Sequence, residues 1–259
     1  MEVVIRMDCP EGNWLNRQKR LTTEENQAVS RAGRWSAGVR ICHAAKGDLG
    51  GVARIFMTSF EDSIEHLFGA NRPSSVAARD LFEFVLHTEP QGFFVAKSQD
   101  DRPVGYAIAI TDMRRLRAEA LLGGYIFRWV SRWFRGEYGA RRPPVKNLIK
   151  DKIALLLSPF NLRRSEGNAR GTPGQILSIA VDPGSRSAGI GRTLLRACLE
   201  YLQRKGVKRV KLEVRPWNLP ALSIYRKEGF VGVGEYKDSK GAWLIMMLDL
   251  PFARASEAE

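Results

Sequence analysis

One stretch, QILSIAVDPGSRSAGIGR at residues 175–192, leaves the fewest options for the chain around it. Ile176, Leu177, Ile179 and Val181 form an apolar, β-branched-rich run suited to a sheet interior. Asp182-Pro183-Gly184 stops that strand. After Gly189 and Gly191, the residues Leu194, Leu195, Cys198, Leu199 and Leu202 recur at helical spacing. The stretch therefore reads as strand, Gly-rich turn, helix. The first-turn N–H groups of a helix have no intrahelical partner, and the helix dipole adds partial positive charge there. Glycines let such a turn approach an anion closely, so the sequence offers a phosphate or pyrophosphate cradle. Tight strand–helix packing is the plainer explanation of a Gly-x-Gly turn, and the turn alone does not decide between them. There is no Gly-Lys-Ser/Thr ending and no third glycine three residues after Gly191, which excludes a P-loop and a dinucleotide fingerprint. What remains is Arg-x-x-Gly-x-Gly, carried by Arg186, Gly189 and Gly191.

The chain of 259 residues has length enough for one large or two small cores. Its net charge of +13 points to an anionic partner: nucleic acid, a membrane surface or a phosphorylated substrate. Cys9, Cys42 and Cys198 form no CxxC pair, and His43, His66 and His87 lie at no ligand spacing from them. That argues for reduced thiols in a cytoplasmic setting and against a metal site. No apolar run reaches the ~18 residues of a membrane span, and the start of the sequence does not read as a signal peptide. Met1 and Met7 are both possible starts.

Residues 1–37 read as a flexible or irregular extension, with a short strand at residues 3–5. Residues 38–259 read as one domain. Within it, a strand at 38–45 precedes a helix bearing Leu49, Val52, Ile55, Phe56 and Phe60, with Asp48 as its N-cap. A second helix follows Pro73, and His66 and His87 read as surface or helix-end residues. Residues 92–98 and 103–111 are strands joined by a hairpin.

Four blocks carry a family resemblance: LSIAVDP, RSAGIGRTLL, LEVRPWNLPALSIYRKEGF and the closing IMML. In that combination, residues 175–250 resemble the GNAT (Gcn5-related) N-acetyltransferases, and within them the bacterial enzymes that acetylate ribosomal-protein N-termini. Residues 39–112 follow the family in outline only. The resemblance implies an α/β fold, with a mixed, mainly antiparallel seven-stranded sheet flanked by helices. It implies acetyl-CoA as co-substrate and direct acetyl transfer to a primary amine. It assigns the CoA pyrophosphate to the backbone of Arg186, Ser187, Ala188, Gly189, Ile190, Gly191 and Arg192, and the pantetheine arm to Ile179, Ala180 and Val181. The Val181 N–H would face the thioester oxygen, Glu213 would be the general base and Tyr225 the general acid. Asn218 would touch CoA; helix capping explains it equally well. A pairing of Glu213 with Lys211 or Arg215 is the plainer account of that carboxylate. Where the family shows glutamine-arginine at the start of the cradle, this chain has Arg186-Ser187, and Trp217 is bulky for its place.

The chain departs from the family at residues 113–174, an insert between the third and fourth family strands. It holds 14 Lys/Arg and 4 Asp/Glu, a net +10. Leu121, Leu122, Tyr125, Ile126, Trp129, Val130, Trp133 and Phe134 recur in pairs every four residues, which places them on one helix face. Three readings stay open: helices capping the sheet, an interfacial helix on an anionic membrane, and a nucleic-acid-binding segment. The acceptor is accordingly open between a protein N-terminal amine, a small amine, and an amino sugar or other lipid-linked amine at the inner face of the membrane. A non-catalytic CoA-binding module with a nucleic-acid-binding insert is the non-enzymatic alternative.

Overall fold

The computed structural model describes residues 34–36, 38–68, 73–139, 172–238 and 241–251. The strand expected at residues 3–5 and the later part of the insert, residues 140–171, lie outside them. The described chain forms β1 (Arg34–Ser36), β2 (Val39–His43), α1 (Leu49–Ser59), α2 (Glu61–Phe68), α3 (Ser75–Thr88), β3 (Phe93–Lys97) and β4 (Pro103–Ile110). It continues with α4 (Met113–Leu122), α5 (Tyr125–Phe134), β5 (Gly174–Val181), α6 (Ile190–Arg204), β6 (Arg209–Val214), α7 (Leu219–Lys227), β7 (Val231–Asp238) and β8 (Gly241–Asp249).

The strands make one sheet in the order β1-β2-β3-β4-β5-β6-β8-β7. Every neighbouring pair is antiparallel except β5–β6. The mixed seven-stranded sheet expected from sequence is present as β2–β8. Arg34–Ser36, read as part of the extension, adds a short edge strand against β2.

Helices cover both faces. On one, Leu194, Leu195, Cys198 and Leu202 of α6 meet Ala107, Ile176, Leu212 and Tyr225 in a continuous core. On the other, Leu49, Val52 and Ile55 of α1 and Phe82 and Phe84 of α3 meet Phe93, Tyr106, Ile108 and Ala180. The alternation of side chains along a strand sorts each residue to one of these cores. That sorting decides which site residues share a face.

Asp48 occupies the N-cap position of α1, but its side chain makes no cap bond there. Its carboxylate instead accepts from the Ala45 N–H at 2.9 Å and pairs with Lys97 at 2.7 Å, both partners nearly buried. The amphipathic pattern of the insert is also corrected. The single face read from 121 to 134 is broken at Gly123-Gly124, where Gly124 takes φ +73° and starts a new helix. Tyr125, Ile126 and Trp129 then pack on the α3 core, with Tyr125 and Trp129 rings 4.7 and 5.3 Å from Phe84. Arg132 and Tyr138 both donate to the buried Asp80, at 2.7 and 2.6 Å. Leu121, Leu122, Val130 and Phe134 of the pattern face out, Leu122 and Phe134 at 88% and 74% exposed, and so does Phe127, outside the pattern, at 79%.

Candidate active site

The site begins where two parallel strands part. β5 and β6 pair at Gly174–Val210 and Gln175–Lys211, and there the pairing stops, although the strands run on to Val181 and Val214. A β-bulge gives the cause. In the β4–β5 ladder Ile108 faces Ser178 while Ala109 faces Ile176, so Leu177 is an extra residue on β5. A bulge bends its strand and increases its twist, and this one lies immediately past the last β6 pair. The result is a V-shaped gap in the sheet, open toward the C-terminal ends of both strands.

The backbone of β5 lines that gap in alternation. The Asp182 N–H donates to the Val104 carbonyl at 2.8 Å, so Asp182 and Ala180 point their backbone groups at β4. Ile179 and Val181 point theirs the other way, into the gap. Ala180, grouped with them from sequence, is turned to β4 and cannot extend a ladder across the gap.

At the mouth of the V, the turn after β5 is built from local rules. Asp182 caps the short 3₁₀ turn Pro183–Ser185 by accepting from the Gly184 N–H, and its other oxygen takes a 2.6 Å bond from Arg54. Those bonds, that from Arg54 foremost, hold its carboxyl below the usual range. Ser187 and Gly189 both adopt left-handed backbone, at φ +69° and +75°. For serine that conformation is costly, and such residues gather at ligand clamps. The intrahelical ladder of α6 begins with the Thr193 N–H on the Gly189 carbonyl. The N–H groups of Ile190, Gly191 and Arg192 precede it and have no intrahelical acceptor.

Gly191 separates the two explanations left open by the sequence. A Cβ there would meet Val181 and Ile224 at 3.7 and 3.8 Å, ordinary contact, and Gly191 needs no left-handed backbone. Among the described residues nothing crowds a side chain at this position, and glycine in a helix interior costs up to about 1 kcal/mol relative to alanine. A glycine at this position leaves the backbone open to close approach by an anion. We expect Gly191→Ala to raise the melting temperature of the free protein and to weaken CoA binding at least tenfold by calorimetry. A stabilised variant with unchanged affinity would contradict the cradle.

Arg186 donates to the Val181 carbonyl at 3.3 Å. It also lines an open depression of ≈ 460 Å³ beside the cradle, with Ala188, Ile190, Val104 and Asp100. The Arg192 guanidinium is tied to Glu228 through its Nε–H. Arg196 shares that carboxylate at 3.0 Å. Burial opposes the charge on Glu228, but the Arg196 and Arg192 bonds hold its carboxyl below the usual range. Asn218 caps α7, its Oδ1 accepting from the Ala221 N–H at 3.3 Å, which leaves its amide hydrogens outside the cap.

Glu213 and Tyr225 lie on opposite faces of the sheet. Leu212 and Val214 belong to the α6 core, so Glu213 between them faces the other side. Its Oε2 accepts from the Tyr236 hydroxyl at 2.8 Å, and Lys211 Nζ lies 2.8 Å from Oε1. The pairing with Lys211 weighed from sequence is thus present; the one with Arg215 is not, since Arg215 makes a two-pronged bond to Asp238. Tyr225 sits on the α6 side, 6% exposed, with its phenol pushed up to about 12 by burial and by the neighbouring Cys198. Tyr236 escaped the sequence reading. It lies on the outermost strand, 23 residues from Glu213, and the sole trace of it in the sequence is one aromatic in an otherwise small and charged run, VGVGEYKD.

A model of the acetyltransferase (GNAT) family matches residues 155–230. The [ribosomal protein bS18]-alanine N-acetyltransferase of Salmonella typhimurium is 30% identical over 107 residues, covering 41% of this chain and 66% of that protein. The mycothiol acetyltransferase of Saccharomonospora viridis is 39% identical over 57 residues, 22% of this chain and 19% of that one. The chain therefore spans less than two thirds of the length of either curated relative. Among solved structures, PH1933 from Pyrococcus horikoshii OT3 is similar in fold, with TM-score 0.52 and 24% identity over 83% of this chain and 99% of that one.

Proposed function

This chain belongs to the acetyltransferase (GNAT) family, and from that premise we propose that it transfers an acetyl group from acetyl-CoA to a primary amine within a ternary complex. The observation that carries the reading is the gap between β5 and β6. At its mouth stands a glycine that no described residue crowds, the Val181 N–H turns into it, and Glu213 lies on β6, one of the two strands that part. Acetyl-CoA, when bound, supplies the acyl group as an activated thioester. The backbone N–H groups of Ser187 to Arg192 hold the pyrophosphate, and Ile179 and Val181 continue the sheet to the pantetheine amides. The Val181 N–H donates to the carbonyl oxygen as it takes on negative charge, a contact worth about 3 kcal/mol in acyl transfer.

The acceptor must attack as a neutral amine. Its nitrogen bonds to the acyl carbon as the carbon–sulfur bond breaks. Glu213 takes the surplus proton from nitrogen, directly or through a water, and Tyr225 donates to the departing sulfur. Full transfer from a phenol near 12 to a thiolate of ordinary pKa, about 8.5, is uphill by roughly 5 kcal/mol. Tyr225 therefore acts first as a hydrogen-bond donor and yields its proton only as charge collects on sulfur. Glu213 and Tyr225 then restore their proton states through solvent.

Two acceptor classes have support. The relatives that modify a ribosomal-protein alanine favour a protein N-terminal amine. The exposed Leu122, Phe127 and Phe134, with the exposed Arg114, Arg115 and Arg128 on the same two helices, favour an amine presented at an anionic membrane, such as a lipid-linked amino sugar. Two experiments divide them. The first is thiol release from acetyl-CoA with a panel of N-terminal peptides and amino sugars. The second is flotation with vesicles of phosphatidylcholine, with and without phosphatidylglycerol. Under the membrane reading the protein floats with the anionic vesicles and Phe127→Ser/Phe134→Ser does not. Absence of flotation, with turnover of a peptide, leaves the N-terminal amine. No thiol release with any amine would overturn the acetyltransferase reading.

A further inference from the structure

The proposed reading gives Glu213 a proton to accept, but a carboxylate on a strand can swing through several rotamers. Two groups restrain it. Lys211, two residues earlier on the same face of β6, bonds one oxygen, and Tyr236, from β7 on the far side of β8, bonds the other. Tyr236 is itself fixed by contacts that have no other evident purpose. Its ring stacks on Trp243 with centroids 6.3 Å apart and planes 12° from parallel. The Trp243 Nε1–H donates to Asp238 at 2.7 Å, and Asp238 binds Arg215, whose guanidinium lies 3.9 Å over the Trp243 ring. Burial, then the charge of Glu213, push the Tyr236 phenol far above its usual range, so it keeps its proton and remains a donor.

We propose that Tyr236 is a positioning residue for the acetyl-transfer step, fixing the rotamer of the Glu213 carboxylate with Lys211 on its other oxygen. The inference rests on the reading of Glu213 as proton acceptor. Tyr236 itself neither gains nor loses a proton: the amine proton passes to Glu213, and the Tyr236 O–H bond stays intact throughout. Each Glu213 oxygen has a second lone pair, so the two fixed bonds leave room for the incoming N–H.

A double-mutant cycle on kcat tests this. We expect Tyr236→Phe to lower kcat about tenfold, as loss of a hydrogen bond to a charged group does, with KM for acetyl-CoA changed less than twofold. On a Glu213→Gln background, the same substitution should change kcat less than twofold, because its effect runs through Glu213. A tenfold loss on both backgrounds, or none on the first, overturns the inference while leaving acetyl transfer intact. A readout independent of turnover is the crystal structure of Tyr236→Phe. Glu213 should leave its present rotamer, and a carboxylate that stays in place also overturns the inference. A wild-type protein that turns over no amine counts against the proposed function instead.

Discussion

Replacing Glu213 with glutamine is expected to lower kcat for acetyl transfer by about a hundredfold, within the range measured for loss of a general base. The KM for acetyl-CoA should stay within a factor of two, since the proposed pyrophosphate and pantetheine contacts belong to β5 and the turn that follows it. The amide keeps the shape of the carboxylate and still accepts from Tyr236, so the fold is preserved. It loses the negative charge facing Lys211 and the capacity to take a proton from the acceptor nitrogen. Steady-state kinetics with the best amine of the panel, at neutral pH, give the answer. A kcat within threefold of wild type would leave Glu213 as a strand residue neutralising Lys211. The proton would then go straight to water.

The largest expected effect on stability lies at the start of α1. Lys97 and Asp48 are 9% and 5% exposed, and their charged atoms lie 2.7 Å apart. Burial opposes the Lys97 charge, yet the hydrogen bond and charge of Asp48, joined by a bond to Asp101 at 3.3 Å, outweigh it and raise the ammonium pKa. Lys97→Met removes the cation and leaves the Asp48 carboxylate buried with one remaining bond in view, from the Ala45 N–H. Breaking a buried ion pair on one side costs about 3–5 kcal/mol, which for a domain of this size lowers the melting temperature by about 10 °C. Asp48→Asn combined with Lys97→Met should recover much of that loss, because the uncompensated charge is gone. Denaturant unfolding of the three variants checks it. Equal losses in the single and double variants would show that the cost comes from packing and not from charge.

The parts of this molecule that the sequence disclosed are those written in local periodicity. The apolar run of β5, the Asp182-Pro183-Gly184 stop and the leucine spacing of α6 are neighbours in the chain, and each obeys one short-range rule. The Glu213 strand and the Asn218 cap were legible for the same reason. What stayed hidden depends on pairing across the sheet. The orientation of Ala180 follows from its register against Tyr106, and the gap itself from one extra residue, Leu177, in the β4–β5 ladder. Neither register nor bulge has a signature in residues 175–181, where every position is compatible with a plain strand. Tyr236 and the Asp48–Lys97 pair meet through tertiary structure alone. In the insert, helical periodicity was read correctly, but two adjacent glycines ended one helix and began another. The apolar half that docks on Phe84 and the half left exposed are distinguished only by where α3 lies.

The whole account turns on where coenzyme A binds. Titration of CoA into ¹⁵N-labelled protein, followed amide by amide, tests that directly. The signals of Ser187, Gly189, Ile190, Gly191 and Val181 should move together and saturate at one stoichiometric equivalent, with Gly191→Ala suppressing the change. Saturable binding that leaves those amides unmoved, or no binding, would contradict it.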